Sequence, residues 1–85
     1  MKYKIRKDLI ISKNQGKIQI FVPDRSEIIS LNETAGFIFE RMKKGDYEKL
    51  ITKKMIKKYQ INKKQAETDL KFFIKQLKKT NLIIY

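Results

Sequence analysis

Lysine dominates the side chains of this sequence that could do chemistry. Twenty-one bases, of which only Arg6, Arg25 and Arg41 are arginines, face nine acids, for a net charge of +12. Such a balance speaks about partners rather than fold: nucleic acid, an anionic membrane surface and an acidic peptide are the candidates, beside an ordinary solvated lysine surface. Cysteine and histidine are absent. Their absence excludes disulfides, thiolate chemistry, the usual zinc and iron sites, and every histidine-based proton relay or nucleophile. Nine acids spread along the chain do not form the carboxylate cluster that an oxygen-only Ca²⁺ or Mg²⁺ site needs. The expectation is a non-catalytic domain with no metal and no cofactor.

Binding chemistry is a better match to the residues than catalysis. Phe72 falls about 120° around a helix from the apolar stripe of its neighbours, on the same side as Gln65, Asp69 and Gln76. A polar strip with one large aromatic is a docking surface; the competing reading is a Phe72 packed under the sheet or the C-terminal tail. Asp69 has the ordinary alternative of a surface pair with a lysine, worth about 0.3–0.5 kcal/mol. Phe37 also leaves the stripe of its helix and is expected to pack on an adjacent one. The pairs Lys53-Lys54, Lys57-Lys58, Lys63-Lys64 and Lys78-Lys79 read first as solvated helix faces.

Two kinds of element must position these residues. Asp8–Lys13 reads as a short β-branched strand, and Asn14-Gln15-Gly16 as a turn. In Lys17–Val22, Ile18, Ile20 and Val22 alternate with Lys17, Gln19 and Phe21, so the two sets face opposite ways. Pro23-Asp24-Arg25-Ser26 breaks the run, and Glu27–Leu31 forms a third strand. That strand carries neither lysine nor proline, the usual devices that blunt a sheet edge, so it suits recognition by strand addition. From Asn32, an N-cap, the period becomes helical: Ala35, Ile38, Phe39 and Met42 share a face that ends at Gly45. A second helix spans about Tyr47 to Tyr59, with Ile51, Met55 and Tyr59 in line. Asn62 caps a third, Lys63–Lys79, whose stripe is Ala66, Leu70, Phe73, Ile74 and Leu77. Leu82–Tyr85 is an apolar tail, either an edge strand or a segment docked on the core.

Eighty-five residues make one α+β domain with a thin core: a three-stranded antiparallel sheet over 1–31, three helices over 32–80 and a tail over 81–85, laid out as a winged helix-turn-helix. No apolar run approaches the length of a membrane span, and Met-Lys-Tyr-Lys is not followed by the apolar segment of a signal peptide. A cytoplasmic protein that does not engage membranes is expected.

The stretch Ile29-Ser30-Leu31-Asn32-Glu33-Thr34-Ala35-Gly36-Phe37-Ile38-Phe39-Glu40 resembles the signature of the PqqD family: an apolar strand end, Leu-Asn-x-Thr, small residues, an aliphatic, an aromatic and an acid. Gly45, then Ile51, Met55, Ile56 and Tyr59, then Gln65–Leu70 with Phe73 and Leu77, are similar to the rest of the family pattern in order and spacing. Asn81-Leu82-Ile83 resembles its Gly-Leu-Ile ending with asparagine in the glycine's place. The order Ala35-Gly36, Phe39 where tryptophan is frequent, and about one extra residue near Tyr47–Leu50 are departures that bear on helix packing.

The resemblance implies a recognition element for ribosomally made, modified peptides. Such domains are winged helix-turn-helix folds, not enzymes. They bind the leader of a precursor peptide as an added strand between the third strand and the third helix. They present it to a tailoring enzyme, either a radical SAM protein or a leader peptidase with a cyclase, as in lasso peptide systems. Carried onto this chain, the strand edge is Glu27, Ile28, Ile29, Ser30 and Leu31. The facing helix contributes Asp69, Phe72, Phe73, Gln76 and Lys79. A free strand edge leaves both a monomer and a homodimer open.

The alternative from another class is a DNA-binding winged helix. A recognition helix needs Arg, Asn or Gln at its N-terminal end to read base edges. The third helix opens Lys63-Lys64-Gln65, and lysine alone holds phosphates better than it reads bases. Leader binding is therefore expected over specific nucleic-acid binding.

Overall fold

The computed structural model describes residues 3–84. Tyr85, the end of the expected tail, lies outside them. Three strands, β1 (Ile10–Asn14), β2 (Lys17–Val22) and β3 (Glu27–Leu31), precede three helices, α1 (Glu33–Lys43), α2 (Glu48–Tyr59) and α3 (Lys63–Lys79). The strands form an antiparallel meander in the order β1-β2-β3. Gln15 and Gly16 both have positive φ, 52° and 80°, and Asn14 pairs with Lys17. This two-residue connection matches the right-handed twist of a hairpin, with Gly16 taking its second left-handed position at no steric cost. β1 starts two residues later than the apolar pattern suggested, because Leu9 turns into the core ahead of the first ladder pair.

Alternation in β2 has the expected effect. Ile18, Ile20 and Val22 are buried, while Lys17 and Gln19 face out. The helices cover this inner face. Gly36 lets α1 come close to it, since a Cβ there would sit 3.3 Å from Ile18 Cδ1. Ile38, Phe39 and Met42 of α1, Ile51 and Met55 of α2, and Ala66, Leu70, Phe73, Ile74 and Leu77 of α3 complete the core. Phe37 packs edge-on against Tyr59 of α2, with ring centroids 5.7 Å apart at 89° and the Lys58 ammonium over both rings. That is the helix–helix role its position suggested.

Capping fixes the helix limits. Asn32 accepts from the Ala35 N–H and Asn62 from the Gln65 N–H, each at 2.8 Å, so α1 and α3 start where expected. α1 ends in a pair of crossed bonds around Gly45, φ 90°: Gly45 N–H to Met42 O and Asp46 N–H to Arg41 O. α3 ends the same way around Asn81, φ 58°, with Asn81 N–H to Lys78 O and Leu82 N–H to Leu77 O. Asparagine is the residue after glycine that best tolerates this left-handed position. It therefore serves at the place where the family pattern has glycine.

The tail is not an edge strand of the sheet. Leu82 and Ile83 are buried, and Ile83 makes an isolated antiparallel bridge with Ile5. Arg6 N–H donates to Leu82 O and Ile84 N–H to Lys4 O, so the tail and residues 4–6 form a small ladder of their own against the core. Among the described residues no helix is long and apolar enough to cross a membrane.

Two charged clusters tie loops to this frame. The Arg6 guanidinium reaches Asp8 at 2.6 Å and Asp24 at 2.9 Å. Asp46 takes Lys54 at 2.8 Å and Arg41 at 3.5 Å. Hydrogen bonds from Arg6 hold the Asp8 and Asp24 carboxyls below the usual carboxylate range, and the bond from Lys54, with the field of Arg41, does the same for Asp46. A depressed native pKa stabilises above the unfolded value of about 4 and is lost as pH falls through the native one. Thermal melts should therefore stay level near neutrality and drop below about pH 4. Asp46→Asn should lower the neutral melt and flatten that acid limb. A second prediction separates core from surface on α3. Leu70 is 2% exposed and Phe72 64%, so Leu70→Ala should cost about 2–5 kcal/mol in denaturant melts. Phe72→Ala should stay within about 0.5 kcal/mol of the parent.

Candidate functional site

The strand-edge reading depends first on topology. β3 pairs with β2 alone, so the backbone groups on its outer side have no ladder partner among the described residues. β1 is the other edge, but it carries Lys13, which pairs with Glu40 at 3.3 Å. A charged, engaged lysine within β1 discourages strand addition there, whereas the one charge of β3, Glu27, stands at its first residue and residues 28–31 carry none.

Register divides the β3 residues between the two faces of the sheet. Leu31, Ile29 and Glu27 stand opposite Ile18, Ile20 and Val22, so they share the inner face with the core. Leu31 is buried, Ile29 half-buried and Glu27 exposed. Ile28 and Ser30 stand opposite Phe21 and Gln19 on the outer face, where Ser30 Oγ lies 3.4 Å from the Gln19 amide nitrogen. Ile28 is 63% exposed.

On α3, Gln65, Asp69, Phe72, Gln76 and Lys79 recur at spacings of four and three and form one row on the outside of the helix. Phe72, Gln76 and Lys79 are exposed and Asp69 is half-buried. The exposure of Phe72 overturns the alternative that packs it under the sheet or the tail. Among the described residues Asp69 pairs with no lysine; it accepts a 2.8 Å hydrogen bond from the Gln65 side-chain amide, one turn earlier. That bond holds the upper half of the row in one arrangement and leaves the second carboxylate oxygen free to accept. Phe73 is a correction to the expected site. At 7% exposure it belongs to the core, because it sits on the apolar stripe with Leu70 and Leu77. Any contribution to binding is as a support beneath the exposed row.

Arg25 sets the distance between strand and helix. Its guanidinium pairs with Glu27 at 3.0 Å, at the start of β3. It also donates to the Thr80 carbonyl at 2.8 Å, at the end of α3. Arg6 adds a 3.3 Å bond to the Asn81 carbonyl. Cations at the carbonyl end of a helix complement its dipole. Among the described residues no hydrogen bond joins β3 itself to α3. The two elements are thus clamped at one end and unlinked along the remainder. In the sequence Arg6 and Arg25 stand out only as two of three arginines among 21 bases. Their link to the end of α3 has no local signal, because Thr80 lies 55 residues from Arg25 and Asn81 75 residues from Arg6.

The outer face of the sheet carries a second feature, only half visible in the sequence. Ile10, Phe21 and Ile28 are directly paired in turn across the three strands. They form an apolar row on the outer face, with Ile10 58% exposed. The alternation in β2 already turned Phe21 outward, but pairing it with Ile10 and Ile28 needs the register. Among the described residues no cluster of acids could hold a metal ion.

Comparison with solved structures gives the same architecture. TbiB1 in complex with the TbiA(beta) leader peptide superposes with a TM-score of 0.89 at 16% identity, covering 95% of this chain and 94% of that one. Lasso peptide synthetase B1 complexed with the leader peptide superposes with a TM-score of 0.91 at 18% identity, covering both chains fully. At such identities the likeness is one of fold. No curated protein matches the sequence significantly. The sequence of residues 19–83 matches the family of coenzyme PQQ synthesis protein D (PqqD), which takes in β2 from Gln19 on, β3, all three helices and the tail as far as Ile83, and the chain belongs to that family.

Proposed function

We propose that this chain is a non-catalytic recognition domain that binds the leader region of a ribosomally made precursor peptide. It does so as an antiparallel strand added to β3, and it presents the precursor to a tailoring enzyme. The observation that carries the reading is the open β3 edge, tied through Arg25 to the end of α3, whose outer row is centred on Phe72, 64% exposed. Both fold neighbours are complexes with leader peptides, which supports the same occupant here. In an added strand, ladder hydrogen bonds supply affinity and alternate side chains supply specificity. One set would meet Ile29, Phe72 and Gln76 on the helix side. The other would extend the Ile10–Phe21–Ile28 row. The enzyme served is of the radical SAM or the leader peptidase and cyclase class. The setting is cytoplasmic, and the domain acts as a monomer or homodimer.

The DNA-binding alternative lacks readers. All three arginines are engaged: Arg6 with Asp8 and Asp24, Arg25 with Glu27 and Thr80, and Arg41 with Asp46. Gln65, at the start of α3, is bonded to Asp69. The lysines that remain hold phosphates without reading sequence.

The test is titration of the full chain with leader peptides from short reading frames beside its gene. Phe72→Ala should lose about 2 kcal/mol of binding, the cost of a desolvated aromatic anchor, or about 30-fold in Kd. Duplex DNA should bind weakly, and less so as salt rises from about 50 to about 200 mM. Sequence-selective duplex binding that survives the higher salt, with no leader bound, would overturn the reading. So would a folded Phe72→Ala domain that binds its leader normally.

A further inference from the structure

α3 has a third flank, on which Lys63, Glu67, Lys71, Lys75 and Lys78 recur at spacings of four and three. This flank lies about 140° around the helix from the Phe72 row and turns toward α2. Between α2 and α3 runs an open cleft of about 450 Å³. Thr52, 8% exposed, buried Leu70 and half-buried Ile56 line its floor. Exposed Lys49 and Lys53 of α2 and Lys63 and Lys71 of α3 rim it. A smaller cleft of about 260 Å³ continues along α3 at Lys75 and Lys78. Among the described residues none of these six lysines is in an ion pair. The rim also holds Glu67 and Glu48, and Glu48 is occupied by a 3.2 Å hydrogen bond from the Tyr3 hydroxyl. Unpaired cations around an apolar floor are complementary to a segment that is acidic on its flanks and apolar on one side.

We propose that the α2–α3 cleft docks an acidic amphipathic segment of the enzyme that processes the bound precursor. Its apolar side lies on Ile56 and Leu70, and its carboxylates lie against the lysine rims. The proposal rests on the leader reading for the identity of the partner alone. Because the two flanks of α3 are well separated, the leader at β3 and the enzyme segment at α2 bind at once, and α3 joins them. A nucleic acid fits the cleft less well: phosphodiesters gain nothing from the apolar floor, and both glutamates oppose them.

The probe is a designed helical peptide with leucines on one side and glutamates flanking them, titrated into the isotope-labelled full chain and followed by amide shifts. The expected shifts cluster at Lys49, Lys53, Ile56, Lys63 and Lys71. A control peptide with lysines in place of the glutamates should not bind. The double variant Lys53→Glu/Lys71→Glu changes exposed positions only and should melt like the parent. It should bind the acidic peptide about tenfold less tightly and the leader unchanged. Shifts elsewhere on the chain would overturn the proposal, as would duplex DNA binding this cleft more tightly than the peptide with the same lysine dependence. Loss of leader affinity in the double variant would place the leader in the cleft and overturn it too. Acidic-peptide binding at the cleft, with no leader bound by the parent chain, would count against the leader reading and leave the cleft as the chain's docking site.

Discussion

The inner face of β2 is the surface on which the other elements are laid. Ile18, Ile20 and Val22 are all buried there, and α1 approaches close enough that Gly36 has no room for more than a small side chain above Ile18. A chain this short can bury one apolar layer. The helices therefore cover one face of the sheet, and the other face and both edges stay in solvent. The open edge follows from that shortage: β3 is an edge because no fourth strand exists among the described residues to cover it.

An edge by itself would invite any extended segment, so selectivity has to come from what stands beside it. Here that is α3, which is divided lengthwise. One stripe anchors it in the core, the Phe72 row is offered outward, and the lysine row turns to α2. The same helix must be immobile on one side for its other sides to be specific. Its ends are accordingly well fastened: Asn62 caps the start, and the crossed bonds around Asn81 close the end. Arg25 then fixes that end to the beginning of β3. A rigid helix beside a free edge is preorganised for a strand to enter, which lowers the ordering cost of binding.

The charge has a divided meaning as well. The arginines are structural: Arg6 and Arg25 each span a carboxylate and a helix-end carbonyl, where a planar fork is useful, and Arg41 pairs with Asp46. The lysines on α2 and α3 are largely left to solvent. A long ammonium side chain is a weak geometric reader but a good electrostatic collector. The excess positive charge therefore favours acidic partners in general while contributing little to the choice among them. Under the proposed reading, apolar contacts at Phe72, Ile28 and the floor of the α2–α3 cleft make that choice.

Much of this was legible in the residues alone. Alternation in Lys17–Val22, asparagine caps at Asn32 and Asn62, the glycine stop at Gly45 and the stripes of α1 and α3 are local signals. Each acts through the few neighbours that share its turn or pleat, so the elements and their order could be read directly. The absence of histidine and cysteine, and the lack of a guard on β3, were equally plain. Tertiary structure decided the rest. Helical spacing already set Phe73 on the core stripe and Phe72 off it, but only the packing of the neighbouring elements left Phe72 uncovered at 64% exposure. Tertiary structure docked Leu82 and Ile83 against Ile5 instead of at the sheet, because a segment that follows α3 can reach only the surface its helix leaves beside it. It aligned Ile10, Phe21 and Ile28, whose pairing is a matter of strand register. It also turned Arg25 toward Thr80, across 55 residues of sequence. No local pattern encodes such long-range partners, because they are chosen by the packing of a core that the local pattern only begins to specify.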